Sequence, residues 1–352
     1  MRVHVVLSPQ NASWVIGKIA HRLVDELARL GIAATLSEDA DDGADINHWM
    51  SYAFIARHAG RASTVFITHI DDPYKALQLK DILAERADVG LCLSRHMMRI
   101  LVSWGLPADR LWYVLPALDT PEPARVRIAV ATRLYADGRK REDLLVQLAS
   151  ERDLSPFHFE IAGSGWEAVI PKLRDAGAAV NWDSGSADYL ADHRAILDSM
   201  RTCEYYLYLG MDEGSLGTLD ALALGIKTIV TPQGFHLEIP DGITAAVETY
   251  EELRDVFDRM AANRARRIDA VRSWTWTQYA REHVTIWDAL LQGKRSDIPK
   301  LAGRQQHAPP APPARAPQSW SDYYARLLSP RRILSAVGRT RLLQPLRRKL
   351  RR

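Results

Sequence analysis

From Met211 to Gly234 the chain reads MDEGSLGTLDALALGIKTIVTPQG. Two adjacent acids, Asp212 and Glu213, precede Gly214, Ser215, Leu216 and Gly217, and these open a helical run, "TLDALALG". A strand-like run, "EYYLYLG", comes before, and another, "KTIVTP", follows. A strand that turns into a helix through glycines offers unpaired backbone N–H groups at the positive end of the helix dipole, which suits an anion. Glycines let a phosphate approach the backbone closely. Acids beside such a site do not serve phosphate binding. They suit sugar or ribose hydroxyls, because a carboxylate accepts several hydrogen bonds at once. Asp220, one turn into the helix, is a second candidate of that kind. The same residues also read as a capped helix, with Ser215 or Thr218 as N-cap and the acids in solvent. Spacing leaves the two readings level.

Other loops that follow strand-like runs carry further candidates. "IAVATRLYADGRKREDLLVQLAS" holds Arg133 and the cationic run Arg139, Lys140, Arg141, and "FHFEIAGSGWEAV" holds Gly163 and Gly165. "SPQNASWVIGKIA" brings Ser13 to Gly17 after the first strand, and "FITHIDD" ends a strand at His69. The acidic stretches "EDADD" (Glu38 to Asp42) and Asp71–Asp72 superficially offer metal ligands, and the first reads most simply as a solvated acidic turn. Cys92 and Cys203 each lie in an apolar run and read as small core residues, as expected in a reducing compartment. A dinucleotide oxidoreductase is disfavoured, since "VLSPQNASWVIG" lacks G-x-G-x-x-G after the first strand.

The elements that must hold these loops alternate. "RVHVVLS", "AATLSE", "INHWM", "TVFITHI" and "VGLCLS" read as strands, separated by helical runs such as "SWVIGKIAHRLVDELARLG", which stops at Gly31. After the prolines of "PEPARVRIAVATRLY" a second alternating series begins. Strand–helix alternation implies right-handed parallel crossovers, and two series imply two doubly wound α/β domains with ligand sites at the carboxyl ends of their strands. The expected domains are 1–122, completed by a helix at about 275–292, and 123–274. A Pro/Ala-rich linker over 293–318 and a basic amphipathic tail over 319–352 follow.

With these residues in place, "DEGSLGTLDALALGIKTIVTPQGFHLEIPDG" resembles the donor-site segment of family-4-like retaining glycosyltransferases of the GT-B fold. That pattern has an acid, glycines, a second acid, small residues, a Gly, a strand and a further Gly-led loop. Glu213 and Asp220 match the two acids, Asp standing where Glu is usual. The spacing is regular when counted from Asp212 and one residue short from Glu213. Glu213 is favoured for the first role because Gly214 follows it directly. The resemblance implies two Rossmann-like domains with a cleft between them, the N-terminal one on the acceptor side. It implies a hexosyltransferase-type enzyme that moves a sugar from a nucleotide-sugar donor to a hydroxyl of a glycan or lipid-linked glycan acceptor, with retention, in bacterial surface-polysaccharide synthesis. Glu213 and His69 would be catalytic. Arg133, Lys140, Gly214, Ser215, Leu216, Gly217, Asp220, Gly17 and Gly163 would bind the donor. No metal or other cofactor is required, the nucleotide sugar being a substrate. Alternatives on the same fold are a nucleotide-sugar isomerase and a non-catalytic nucleotide-sugar-binding or membrane scaffold protein.

The charge is uneven along the chain. From Arg326 onward there are ten basic residues and no acid, which leaves 36 basic against 43 acidic residues before it. Apolar residues of "SPRRILSAVGRTRLLQPLRRKLRR" gather roughly on one helical side among arginines, as expected for an anionic membrane surface, with a partner protein or an inert, solvated end as the alternatives. The acidic main body does not favour nucleic acid. "MRVHVVLS" lacks the composition of a signal peptide, and no run of apolar residues is long enough to span a bilayer. The expectation is a cytoplasmic protein, attached peripherally to the inner face of the plasma membrane.

Overall fold

The computed structural model describes residues 1–68, 70, 73–186 and 189–295. Contacts divide the chain into two units: Met1–Thr120 together with the chain from Ser273, and Pro121–Arg272. The first unit runs β1 (Arg2–Val6), α1 (Val15–Arg29), β2 (Ala33–Ser37), β3 (Ile46–Trp49), β4 (Ala62–Ile67), α2 (Pro73–Glu85), β5 (Val89–Cys92), α3 (Arg95–Ser103) and β6 (Leu111–Tyr113). The second runs β7 (Val126–Ala131), α4 (Glu142–Glu151), β8 (Phe157–Ala162), α5 (Ile170–Asp175), β9 (Ala179–Asp183) and α6 (Tyr189–Met200). It continues through β10 (Tyr205–Tyr208), α7 (Leu216–Ala223), β11 (Lys227–Val230), β12 (Ala245–Ala246) and α8 (Tyr250–Asp269). The chain then returns to the first unit as α9 (Trp276–Leu291).

Each unit holds one six-stranded parallel sheet, ordered β2-β1-β3-β4-β5-β6 and β12-β11-β10-β7-β8-β9. The expected α/β class with two doubly wound sheets is what the chain forms. β4, all six of its residues buried, shows why the inner strands read as continuous apolar runs: helices cover both faces. The edge strand β2 alternates instead.

The helices dock by the spacing of their apolar residues. α1 buries Gly17, Ala20, Leu23 and Leu27 on one face and ends at Gly31, where φ is +76° and Ile32 N–H donates to Leu27 O at 2.9 Å. α9 places Tyr279, Ala280, Ile286 and Trp287 in the core of the first unit. α8 opens with a capping box of Thr249 and Glu252, worth about 1 kcal/mol, and buries Leu253, Val256, Phe257 and Met260 in the second core. Among the described residues no helix is long and apolar enough to cross a membrane. Cys92 and Cys203 are both free, and burial pushes the Cys92 thiol up to about 12.

Candidate functional site

In the second unit the chain lays β8 and β9 outward on one side of β7, then crosses back to place β10 on the other side. The loops after β7 and β10 therefore diverge, and a crevice is left at their carboxyl ends. A pocket of about 270 Å³ lies at the ends of β7, β8 and β9. Its walls include Thr132, Arg133, Gly163, Asp183, Ser186 and His193. Gly163 adopts φ +127°, and a Cβ there would lie 2.3 Å from Thr132 O, so only glycine lets the β8 loop sit against the β7 loop. Three hydrogen bonds fix this floor: Gly163 N–H to Asp183 O at 2.8 Å, Trp182 Nε1–H to Gly163 O at 2.9 Å, and Trp166 Nε1–H to Thr132 O at 2.8 Å. Arg133 stands exposed, with no side-chain partner among the described residues.

The start of α7 is held from below by rings. Ser215, its N-cap, does not cap with its hydroxyl; Ser215 Oγ lies 2.7 Å from Tyr206 Oη. Ser215 N–H donates to His236 Nε2 at 3.0 Å, and Thr218 Oγ1 lies 3.0 Å from the same nitrogen. His236 Nδ1 lies 3.0 Å from Thr231 O. A carbonyl only accepts, so Nδ1 carries the proton and Nε2 receives both groups. Gly214, at φ +111°, has no room for a Cβ, which would come within 3.0 Å of Phe235 and His236 ring atoms. At Gly217 a Cβ would meet Tyr206 Oη at 2.5 Å. These glycines, read from sequence as room for a phosphate, are needed first by the protein's own aromatic rings. The N–H groups of Leu216 and Gly217 have no acceptor among the described residues, and Leu216 is exposed.

The two adjacent acids face different partners. Asp212 turns inward: Lys140 Nζ lies 2.5 Å from Asp212 Oδ2 and 2.6 Å from Tyr208 Oη, while Tyr208 Oη donates to Asp212 Oδ1 at 2.5 Å. Lys140 also lies 4.9 Å from the centre of the Tyr208 ring. Burial raises the Asp212 carboxyl, but hydrogen bonds from Lys140 and Tyr208 outweigh it and hold it below the ordinary carboxylate value. Burial, then the bond to Asp212, pushes the Tyr208 phenol up. Glu213 is exposed, and its side chain has no partner among the described residues. Asp220 Oδ2 lies 3.3 Å from His193 Nε2, which ties α7 to the wall of the pocket. The neighbours of Lys140 are also engaged. Arg139 pairs with Asp137 at 3.3 Å and covers the Tyr135 ring, and Arg141 donates to Glu248 O at 2.6 Å.

Gly17 belongs to the first unit. A Cβ on it would lie 2.1 Å from Ala12 O, because the turn after β1 folds back onto the first turn of α1. His69 and the tail over 319–352 lie outside the described residues. Among the described residues no three His, Cys, Asp or Glu side chains group as metal ligands would. Sequence reasoning missed Tyr206, Tyr208, His193 and His236. The two tyrosines were visible only as strand residues, and nothing beside His236 in "QGFHLE" marks it as the anchor of a helix.

No protein-family model matches the sequence, and no curated protein does. Among solved structures the chain is similar to the apo form of WaaB, a lipopolysaccharide outer core galactosyltransferase. That match has 13% identity over 84% of this chain and 100% of that one, with a TM-score of 0.34. It is also similar to HepE of Anabaena in complex with UDP-glucose, at 10% identity over 86% of this chain and 100% of that one, with a TM-score of 0.30. The complex of HepE with UDP and glucose gives 9%, 85%, 97% and 0.29. Likeness at this level carries no argument about ligand or activity, which must rest on the residues themselves.

Proposed function

We propose that this chain is a glycosyltransferase that takes a sugar from a nucleotide-sugar donor and passes it to a hydroxyl of a glycan or lipid-linked glycan. One observation carries the reading. At the β7/β10 reversal, a pocket, an unpartnered cation (Arg133), two open N–H groups (Leu216, Gly217) and an unpartnered carboxylate (Glu213) belong to adjacent loops of one sheet. A nucleotide sugar needs all four. The pocket takes the nucleoside, with Asp220 near its ribose. Arg133 and the α7 N-terminus meet the diphosphate, while Lys140 braces the loop through Asp212 and Tyr208. Glu213 accepts hydroxyls of the transferred sugar. Negative charge grows on the diphosphate as the glycosidic bond breaks, and fixed donors stabilise that charge without reorganising. Glu213 orients the anomeric carbon, where small misplacement is costly.

Retention of configuration, the role of His69 beside the reacting carbon, and a place in surface-polysaccharide synthesis follow from the sequence resemblance. Peripheral attachment of the tail follows from its charge and apolar pattern. The reading is tested by incubating the full chain with a panel of nucleotide sugars and scoring stabilisation, donor hydrolysis and transfer. Turnover of at least one donor, lost in Glu213→Gln and Arg133→Ala while unfolding is unchanged, is the expected result. If no nucleotide sugar stabilises the protein or is consumed, the reading fails. An isomerised donor formed without acceptor assigns the chain to the isomerase class instead.

A further inference from the structure

The strand order of the second unit sets where each part of a nucleotide falls. β10, β7, β8 and β9 are successive neighbours in the sheet. Strands lie about 4.8 Å apart, so three spacings carry a ligand ~14 Å from the α7 N-terminus, which follows β10, to the loop that follows β9. An extended nucleoside diphosphate has that reach, with its phosphates over β10 and β7, its ribose next, and its base against β9. Residues at the end of β9 therefore read the base.

β9 ends at Asp183, and Asp183, Ser184, Gly185 and Ser186 wall the pocket on that side. The loop is folded on itself. Gly185, at φ +86°, donates its N–H to Asp183 Oδ1 at 2.9 Å, and Asp183 O accepts Gly163 N–H at 2.8 Å. Asp192, on α6, is fully engaged in holding this loop. Its two oxygens share Ser186 N–H at 2.9 and 2.8 Å, and Oδ1 also accepts the Ser186 hydroxyl at 2.6 Å. Asp183 differs. It is exposed, its Oδ2 has no partner among the described residues, and no cation among them pairs with it. One carboxylate of the pocket is thus oriented by its own loop and left open. Ile196 of α6 adds an apolar side chain to the same walls.

We propose that the base is guanine and that Asp183 selects it, a proposal that rests on the reading of this pocket as a nucleoside site. Guanine alone among the common bases sets two donors side by side, N1–H and the 2-amino group, and a carboxylate accepts both at once. Asp183 Oδ2 takes one. Oδ1, with a second lone pair beyond its bond to Gly185, takes the other. Ser184, next in the wall, offers its hydroxyl to O6, and Ile196 covers the ring face. Uracil carries a single N–H between two carbonyls, and adenine and cytosine carry an amino group beside an unprotonated ring nitrogen. Each of these turns a lone pair toward the second carboxylate oxygen. A bidentate match of this kind separates right from wrong base by about ten- to a hundredfold.

Calorimetric titration of the full chain with guanosine, inosine, uridine and adenosine diphosphates is the test. Guanosine diphosphate binds tightest. Inosine diphosphate, which keeps N1–H and lacks the 2-amino group, binds about tenfold more weakly, and the uridine and adenosine forms more weakly still. Asp183→Asn keeps an oxygen for Gly185 N–H, so the loop keeps its fold. Its amide N–H faces the guanine 2-amino group, donor against donor, and the guanosine preference is lost. The same amide complements xanthine, which has a carbonyl at C2, so xanthosine diphosphate binds the variant better than the wild type. The proposal is overturned if inosine and guanosine diphosphates bind alike, or if Asp183→Asn leaves the order of affinities unchanged. Uridine or adenosine diphosphate binding as tightly as guanosine diphosphate overturns the guanine assignment and leaves the transferase reading standing, whereas binding of none overturns both.

Discussion

Replacing Lys140 by methionine keeps the aliphatic stem and removes the charge that meets Asp212 and Tyr208. The two side chains of the pair are 12% and 27% exposed, so this is neither a surface ion pair nor a wholly buried one. Stranding one partner of a buried pair costs about 3–5 kcal/mol, whereas an exposed pair is worth about 0–1 kcal/mol. Asp212 keeps two donors in the variant, Tyr208 Oη at 2.5 Å and Gly214 N–H at 3.3 Å. These and the residual exposure bring the expected loss to about 2 kcal/mol, or about 6 °C for a unit of this size. Asp212→Asn costs less, and the double variant is less destabilised than the sum, with a coupling of about 1–2 kcal/mol.

Urea unfolding of the wild type and three variants measures all of this. The hydrogen bonds from Lys140 and Tyr208 hold the Asp212 carboxyl below its ordinary value despite burial. The contribution of the pair is thus present above the unfolded carboxylate pKa and is lost as pH falls through the depressed value. The difference between wild type and Lys140→Met must shrink accordingly in acid. A Lys140→Met protein within about 0.5 kcal/mol of the wild type, or a coupling near zero, would refute the pairing as a structural element.

Three further outcomes follow from the same geometry. His283 is fully buried, and burial pushes it down to about 4, while wholly buried His48, its ring 5.2 Å away, is held well below its ordinary value by burial and by the His283 charge. Both bind a proton more weakly in the folded than in the unfolded chain, so stability is full above pH about 6.5 and declines toward pH 4, by about 3 kcal/mol for His283 alone. Urea midpoints across that range fall less steeply in His283→Gln, and equal slopes contradict it. His236→Ala leaves Ser215 N–H without an acceptor and opens a cavity, costing about 2–3 kcal/mol and weakening nucleoside diphosphate binding, both readable by thermal unfolding with and without ligand. Gly163→Ala forces the β7 and β8 loops apart at a left-handed φ, costing at least about 2 kcal/mol; wild-type stability would show that the loop has room after all.

Much of the scaffold was legible because parallel strands covered on both faces are apolar runs of limited length. The "TVFI" that opens "TVFITHI" is seen in the fold as part of β4, and the "FHFEIA" of "FHFEIAG" as β8. The run "WEAVIPKLRDAG" reads as one helix, yet α5 spans only Ile170–Asp175, because Pro171 is tolerated in a first turn and not in an interior. What the sequence hid was partner choice. Asp212 and Glu213 are indistinguishable as adjacent acids; only the fold turns the first toward Lys140, which is 72 residues away. Gly214 and Gly217 look like ligand-approach glycines, but a glycine that makes room for a ring carries the same letter as one that makes room for a phosphate. His236, and the hold of His4 on Asp39 and of Asn47 on Asp41 in the acidic turn, are long-range contacts of ordinary residue types, and local spacing carries no trace of them.

The proposed function stands or falls with a nucleoside diphosphate bound at the β7/β10 reversal. Calorimetric titration of the full chain with uridine, adenosine and guanosine diphosphates tests it most directly, in wild type and in Arg133→Ala. One of the three is expected to bind, added salt to weaken it, and Arg133→Ala to lower the affinity about tenfold, as for one lost charge-assisted contact. Failure of all three to bind, or equal affinity in the variant, would contradict it.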